Sequence, residues 1–248
     1  AQDGIRDRSP SRGLGDVYKR QAEHGDDAKV LAGGHSLIPL MKYRLATPAV
    51  VVDVGRLSDL SYVREDGDQL AIGALTRHRD VEVSDLILAN TALLAEATRN
   101  VGDPQVRHRG TIGGALAHGD PASDIPAAVL ALRGTLVVQG PSGTREVAVD
   151  DFFTGFLETA LAPDELLTEV RIPRIPDARW SFQKFNRRAQ DWAIVGAAVL
   201  VDEGNCGVGL VNMDARPARA LAVESAVNSG ADAADAAEVA PEGLEPPG

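Results

Sequence analysis

Cysteine is nearly absent from this sequence, which has one, Cys206, among 248 residues. A single cysteine cannot build a disulfide framework. It also cannot supply the several thiolates that hold an iron–sulfur cluster. We therefore expect a reducing, cytoplasmic setting and no cluster site in this chain.

Positive charge and long apolar runs are also scarce. The chain carries 25 Lys and Arg against 36 Asp and Glu, for a formal net charge of −11. This balance argues against a duplex nucleic-acid surface and against a polybasic membrane anchor. The longest apolar run, Trp192–Val201, is much shorter than the about 20 residues of a membrane span. With 44% hydrophobic residues, the chain can still bury a proper core.

Several familiar chemical motifs are missing. No G-x-G-x-x-G follows a strand, no G-x-x-x-x-G-K-[ST] occurs, and no G-x-S-x-G is present. The five histidines are scattered and do not form H-E-x-x-H. We therefore predict no metal site and no catalytic acid, base or nucleophile in this chain.

The two ends of the chain differ from its middle in composition. Residues 1–21 are rich in Arg, Asp, Ser and Gly and show no apolar period on inspection. We interpret them as a non-native or disordered tail and leave them out of the fold prediction. The last residues are rich in Ala, Asp, Glu and Pro, which indicates a loose tail or a shortened chain.

Between these ends, strand and helix patterns alternate without a strict β–α–β rhythm, which predicts an α+β fold. Buried strands are expected at Lys29–Leu31 and Ala49–Val54. Thr76 is expected to cap a short helix, and residues 100–110 are expected to form a loop. Residues 174–179 resemble a connector between two domains.

Two glycine pairs, Gly33–Gly34 and Gly113–Gly114, are the main chemical signal. Glycine admits positive φ and lets another group approach the backbone closely. Successive N–H groups in such a turn can bind an anion, and the hydroxyls of Ser36 and Thr111 lie beside the pairs. The pattern favours a diphosphate held from two sides. Two ordinary tight turns remain the alternative.

Four segments in order then resemble one family. They are AGGHSLIPLMKYRLATPAVVVDVGRL, IGALTRH, GDPQVRHRGTIGGALAHGDPASDIPAAVLAL and KFNRRAQDWAIVGAAV, and PARALAVESAV follows as a further match. Together they resemble the FAD-binding middle subunit of molybdenum hydroxylases, the carbon monoxide dehydrogenase and xanthine dehydrogenase group. The likeness runs from about Val30 to Ala226.

The resemblance implies a two-lobed FAD-binding domain of the PCMH type, which is similar to vanillyl-alcohol oxidase. A smaller α+β domain follows, typical of the flavoprotein of carbon monoxide dehydrogenase. We assign residues 22–175 and 179–248 to them and expect both to be incomplete. The family's first strand and helix are not recognisable before Val30, and the second domain ends early relative to the family pattern. The FAD diphosphate would lie on the two glycine turns. The implied cofactor-binding residues are Ala32, Gly33, Gly34, His35, Ser36, Leu37, Val101, Thr111, Ile112, Gly113, Gly114, Ala115, Asp124, Leu167 and Lys184.

The same resemblance implies individual roles for some of these residues. Asp124 would contact the adenosine part of FAD, although a helix cap is the plainer alternative. Val101 would pack on the isoalloxazine ring, and Leu167 would contact the flavin. Lys184 would lie near the ring and favour its anionic reduced form, unless it is an ordinary strand-edge charge. Trp192 could contact the ring or pack in the core.

One position departs from the family pattern. Ala115 stands where relatives often carry Asn, so one donor to the diphosphate is missing. The loss of one hydrogen bond costs on the order of 1 kcal/mol, and binding is expected to survive it.

The implied function is electron transfer within a molybdenum hydroxylase complex. FAD in this chain would receive electrons from the two-iron, two-sulfur clusters of a small partner, which are fed by a molybdenum site in a large partner. It would pass them to NAD, a quinone or oxygen, in an assembly expected to be a dimer of heterotrimers. The alternatives are a free-standing FAD-dependent oxidoreductase of the vanillyl-alcohol-oxidase type and a non-catalytic binding or assembly module.

Overall fold

The structure, a computed structural model, describes residues 7–10 and 13–246. The strands are β1 (Asp7–Pro10), β2 (Ala28–Leu31), β3 (Val50–Asp53), β4 (Val63–Asp66), β5 (Gln69–Gly73), β6 (Thr135–Gly140), β7 (Gly143–Ala148), β8 (Phe153–Gly155), β9 (Glu158–Thr159), β10 (Leu166–Pro173), β11 (Arg179–Phe185), β12 (Val195–Asp202), β13 (Asn205–Val211) and β14 (Ala218–Arg219). The helices are α1 (Leu14–His24), α2 (Leu37–Lys42), α3 (His78–Val83), α4 (Asp85–Asn90), α5 (Ala92–Arg99), α6 (Pro104–Arg109), α7 (Ile112–His118), α8 (Asp124–Ala131), α9 (Val149–Phe152), α10 (Leu221–Asn228) and α11 (Ala233–Glu238).

Three larger sheets organise the described residues. The first is parallel, with the order β1-β3-β2. The second is antiparallel, with the order β4-β5-β10-β6-β7, and the third is an antiparallel sheet ordered β11-β12-β13-β14. Apart from the parallel segment β1-α1-β2-α2-β3, the strand pairs of the described residues are antiparallel and do not alternate regularly with helices, so the α+β prediction is confirmed. None of the described helices is long and apolar enough to cross a membrane.

The first sheet corrects our interpretation of the amino-terminal residues. Helix α1 occupies the predicted tail, and its Val17 is fully buried against the valines of β3. The apolar side of α1 is formed by Leu14, Val17 and Tyr18, at helical spacing. We missed this period because the polar composition around it hid the three residues. A disordered tail is therefore wrong for α1, while residues 1–6 and 11–12 lie outside the described residues and a non-native origin stays a prediction.

The same two elements occupy the place where we expected the first lobe to lack a strand and a helix. Strand β1 pairs with β3, and α1 packs on β2 and β3. Gln21 on α1 donates its side-chain N–H to the carbonyl of Pro163, 3.0 Å away, which ties the helix to the segment before β10.

Helix α8 joins the second and third sheets in one core. All of its residues from Asp124 to Ala131 are buried. A helix that is buried all round must be covered on every side. It packs on α5 and α7 and also on β12 and β13, and the main apolar core therefore contains residues of both sheets, including Phe182 and Val211.

Three local predictions were wrong. Arg77, and not Thr76, occupies the N-cap position of α3, because the Thr76 hydroxyl donates to the carbonyl of Tyr62 at 2.9 Å. Residues 100–110 contain the helix α6, which Asp103 caps by accepting the N–H of Val106 at 2.9 Å. The sequence also predicts a helix from about Pro217 to Val227, which in the structure starts later, at α10, because β14 pairs with β13 first.

Candidate functional site

The two glycine turns lie against each other. The first turn follows β2, and the second leads from α6 into α7. An ideal Cβ on Gly33 would lie 2.8 Å from the Cα of Gly110 and would overlap the carbonyl oxygen of Arg109. Similarly, a Cβ on Gly114 would lie 3.9 Å from the Cβ of Ala32. The sequence placed these segments about eighty residues apart, and the fold brings their backbones into contact.

A different physical constraint favours glycine at each of these positions. Gly34 has φ of +85°, which side chains disfavour. Gly113 leaves no room for a side chain, because its Cβ would lie 2.5 Å from the Cβ of Ala74. Gly114 is helical, so positive φ does not account for glycine at this position. Its Cβ would instead lie 2.7 Å from the hydroxyl oxygen of Thr111.

The N–H groups of the second turn are already in use. Ile112 donates to the carbonyl of Thr76 at 3.1 Å, and Gly113 donates to the carbonyl of Ala74 at 2.9 Å. Gly114 donates to the Thr111 hydroxyl at 3.1 Å, which caps α7. The expectation that Gly113 supplies an N–H donor to the diphosphate is therefore wrong. This turn therefore offers close approach of its backbone, since Thr111 is 2% exposed and its hydroxyl already caps α7.

The first turn is different. Within the part of the chain that the structure describes, no hydrogen bond uses the N–H groups of residues 33–37. The Ser36 hydroxyl makes no cap bond to α2, so it is also available. Several neighbouring donors without acceptors are what an anion such as a diphosphate needs.

Cations surround the meeting point of the two turns. The Arg77 guanidinium donates to the carbonyl of Arg109 at 2.5 Å, which ties the second turn to α3. Burial and then the charge of Arg109 lower the pKa of Arg77, and the same two causes lower the pKa of His35. Only the part of each shift that Arg109 causes reports positive charge, and Asp53, Asp80 and Asp103 oppose the lowering of these pKa values. The positive charge of Arg77 and Arg109 at this point is what a diphosphate would neutralise.

His78 lies under the second turn. An ideal Cβ on Gly110 would be 2.7 Å from the His78 ring, so the turn rests directly on the imidazole. Neither ring nitrogen has a partner of good hydrogen-bond geometry among the described residues, although the backbone of Thr111 lies close enough to oppose the lowering of the His78 pKa. Burial lowers the pKa of His78 to about 4, so the ring is neutral at pH 7.

A buried ion pair marks the other end of the site. The Lys184 ammonium lies 2.7 Å from the Oδ2 atom of Asp124, and the two side chains are 7% and 4% exposed. Lys184 also donates to the carbonyl of Asn100 at 3.1 Å. Burial raises the pKa of Asp124 to about 6, although Lys184 opposes this. The Oδ1 atom of Asp124 is buried and has no partner among the described residues, so it can accept a hydrogen bond from a ligand.

This pair bears on the roles implied by the family resemblance. Asp124 was expected at the adenosine and Lys184 at the ring, whereas the structure joins the two side chains in one salt bridge. Asn100 precedes Val101, the residue expected on the ring. The plain alternatives also lose support, since Lys184 is buried and the Ser123 and Asp124 side chains show no cap bond to α8.

The other residues expected to bind the cofactor differ in how deeply they are buried. Ile112 and Leu167 are buried in the core, so a ligand could reach them only through the backbone. Val101 and Ala115 are partly buried at the core's edge, and Leu37 is partly buried in α2. Trp192 is 64% exposed, which excludes core packing for it.

Sequence reasoning missed three residues of the site: Arg77, His78 and Arg109. They stand inside the segments that carried the resemblance, IGALTRH and VRHRGTIGG. The available signal was a cluster of basic residues beside a glycine turn, which is typical of sites for phosphate groups.

Comparisons with known proteins agree with this geometry. A family model described as the FAD binding domain in molybdopterin dehydrogenase matches residues 13–175. The carbon monoxide dehydrogenase medium chain of Hydrogenophaga pseudoflava is 42% identical over 191 residues, which cover 77% of this chain and 67% of that protein. The 6-hydroxypseudooxynicotine dehydrogenase complex subunit alpha of Paenarthrobacter nicotinovorans is 37% identical over 237 residues, covering 91% of this chain and 80% of that protein.

A solved structure shares the whole fold. Carbon monoxide dehydrogenase from Hydrogenophaga pseudoflava, in a form that lacks the Mo-pyranopterin moiety of its cofactor, has a TM-score of 0.90 at 38% identity. The likeness covers 96% of this chain and 87% of that one.

The chain belongs to the family of FAD-binding domains of molybdopterin dehydrogenases. It is an oxidoreductase subunit of the FAD-binding medium type found in molybdenum-hydroxylase complexes. The predictions of the family, the two-lobed fold and the FAD cofactor are confirmed.

Proposed function

We propose that this chain binds one extended FAD, with the diphosphate on the first glycine turn and the ring beside Lys184. The observation that supports it most is the run of N–H groups at residues 33–37 that have no partner among the described residues, in a turn whose Gly33 lies against the backbone of Gly110. Arg77 and Arg109 would add positive potential, and glycine at 33 and 114 would keep side chains out of the groove.

The separation of the two ends fits an extended cofactor. Helix α7 begins at the second turn, and a short loop then leads to Asp124 at the start of α8. Seven helical residues span about 10 Å. The orphan Oδ1 atom of Asp124 would accept a hydrogen bond from the cofactor, and Lys184 would keep the carboxylate oriented.

In this proposal the chain is an electron-transfer subunit. Bound FAD supplies chemistry that accepts electrons in pairs or singly. The residues of the chain bind and orient the cofactor, and none of them is assigned as a substrate acid or base. Cys206 is buried and is the sequence's only cysteine, so iron–sulfur clusters would belong to a small partner subunit and the molybdenum site to a large one. NAD, a quinone or oxygen would be the final acceptor, in a dimer of heterotrimers.

Anaerobic mixing tests this role. The FAD-loaded chain is mixed with its small iron–sulfur subunit, reduced beforehand with dithionite, and flavin absorbance is followed. We expect rapid bleaching with this subunit and little with an unrelated reduced ferredoxin of similar potential. Bleaching by a phenolic alcohol with no partner present would instead indicate a free-standing oxidoreductase. A folded chain that cannot be loaded with FAD would point to a non-catalytic module.

A further inference from the structure

Strand β13 touches helix α8 backbone to backbone. An ideal Cβ on Gly207 would overlap the carbonyl oxygen of Ala131, and one on Gly209 would overlap the carbonyl oxygen of Ala127. Neither glycine has positive φ, so the close approach, and not the turn geometry, accounts for them. Helix carbonyls cannot move aside as a flexible side chain can.

The distance between Gly207 and Gly209 along the strand is close to the distance between Ala131 and Ala127 along the helix. Four residues of a helix rise about 6 Å, and two residues of a strand rise about 6.7 Å. Strand β13 therefore runs antiparallel along α8, and its end comes to the start of the helix. The N–H of Asn212 donates to the carbonyl of Pro121 at 2.8 Å, which fixes this end three residues before Asp124.

The strand pairing of the third sheet connects the end of β13 to Lys184 on β11. Val211 at the end of β13 lies opposite Gly196 on β12. Gly196 in turn lies opposite Lys184 on β11. Through this register, the contact between β13 and α8 acts together with the packing of β11 on α5 to place Lys184 relative to Asp124, at the 2.7 Å observed.

A second contact holds the other end of α8. Arg133, just past the helix, donates to the carbonyl of Cys206 at 3.1 Å and lies 3.7 Å from Glu224. Glu224 is buried and pairs with Arg219, which also reaches Asp150 at 2.8 Å. The PARALAVESAV segment contains both Arg219 and Glu224, so its conspicuous charges serve this junction.

We propose that Gly207 and Gly209 are positioning residues of the flavin site, which seat β13 on α8 and thereby hold Lys184 against Asp124. This inference rests on the proposed role of that pair in FAD binding. Neither glycine contacts the cofactor. A methyl group at either position would push the sheet off the helix, and Lys184 would move with it.

The test compares two alanine variants on one strand. Gly209→Ala faces α8, whereas Val208→Ala faces the other side of β13 and opens a small space in the cluster around Cys206 and Leu210. We expect Gly209→Ala to raise the FAD Kd of the apoprotein about tenfold or more, as for the loss of a charge-assisted hydrogen bond. Val208→Ala should change it less than about threefold at a temperature well below unfolding. Equal effects of the two variants would overturn the proposal, and Gly207→Ala serves if Gly209→Ala does not fold.

A double-mutant cycle separates positioning from general weakening. In a Lys184→Met background the ion pair is already gone, so Gly209→Ala should add less than about threefold. A full additional tenfold loss would show that the glycine does not act through the pair. If the wild-type chain binds no FAD, the proposed function fails independently of this inference. Crystal structures of the wild-type and Gly209→Ala apoproteins then test whether the glycine positions the ion pair. A Lys184–Asp124 distance that stays within about 4 Å in Gly209→Ala would contradict the inference.

Discussion

Gly33 stands against the backbone of Gly110 with no space for a side chain between them, since its Cβ would lie 2.8 Å from the Cα of Gly110. In the proposed function, the groove for the diphosphate depends on the contact between these two turns. Gly33→Ala should separate them and misplace the donors of the first turn. We expect the FAD Kd, measured by fluorescence titration, to rise at least about tenfold. Gly15→Ala, where a Cβ meets nothing within 4 Å, is the matched control and should leave the Kd unchanged.

Gly114→Val tests the second turn. The added Cβ would meet the Thr111 hydroxyl at 2.7 Å and disturb the cap of α7, while the branched side chain would enter the groove. We expect flavin binding to be nearly abolished. Helix content by circular dichroism serves as the control for folding. Full flavin occupancy in this variant would show that the diphosphate does not lie here.

The raised pKa of Asp124 predicts that the stability of the protein depends on pH. Its pKa is raised from 3.8 to about 6, so the folded state binds the proton more tightly than the unfolded state between these values. The free energy of unfolding contributed by this group therefore falls as pH rises from about 4 to about 6, by about 3 kcal/mol. Urea unfolding of the wild type and of Asp124→Asn across this range measures the difference. A difference that does not change with pH would contradict the burial of a titrating carboxyl.

The lowered pKa of His78 predicts a pH dependence of stability with the opposite sign. Its pKa is lowered from 6.5 to about 4, so the unfolded state binds the proton more tightly between these values. The contribution of the neutral ring is complete above about pH 6.5 and is lost as pH falls to about 4, again by about 3 kcal/mol. His78→Phe keeps an aromatic ring that cannot be protonated. The gap in unfolding free energy between the two proteins should narrow or reverse on acidification, and a constant gap would argue against the buried imidazole.

Part of this arrangement could be predicted from the sequence and part could not. The glycine pairs with Ser36 and Thr111 indicated a groove with two sides, because close approach of backbones requires glycine. The sequence did not show that the first turn keeps its N–H groups available while the second turn uses them within the fold. This difference depends on the carbonyls of Ala74 and Thr76, which take the N–H groups of the second turn.

Two other features escaped for different reasons. The ion pair joins residues 60 positions apart, and local reading of Asp124 suggested only a cap or a cofactor contact. Helix α1 carries its helical period in only three residues, Leu14, Val17 and Tyr18, and the polar residues around them mask that period in the sequence.

Flavin content of the purified chain tests the central claim most directly. The protein is denatured, the released flavin is identified by chromatography, and its amount is compared with the protein, before and after incubation of the native chain with FAD. The account predicts close to one FAD per chain after incubation. A folded chain that takes up no FAD would contradict it.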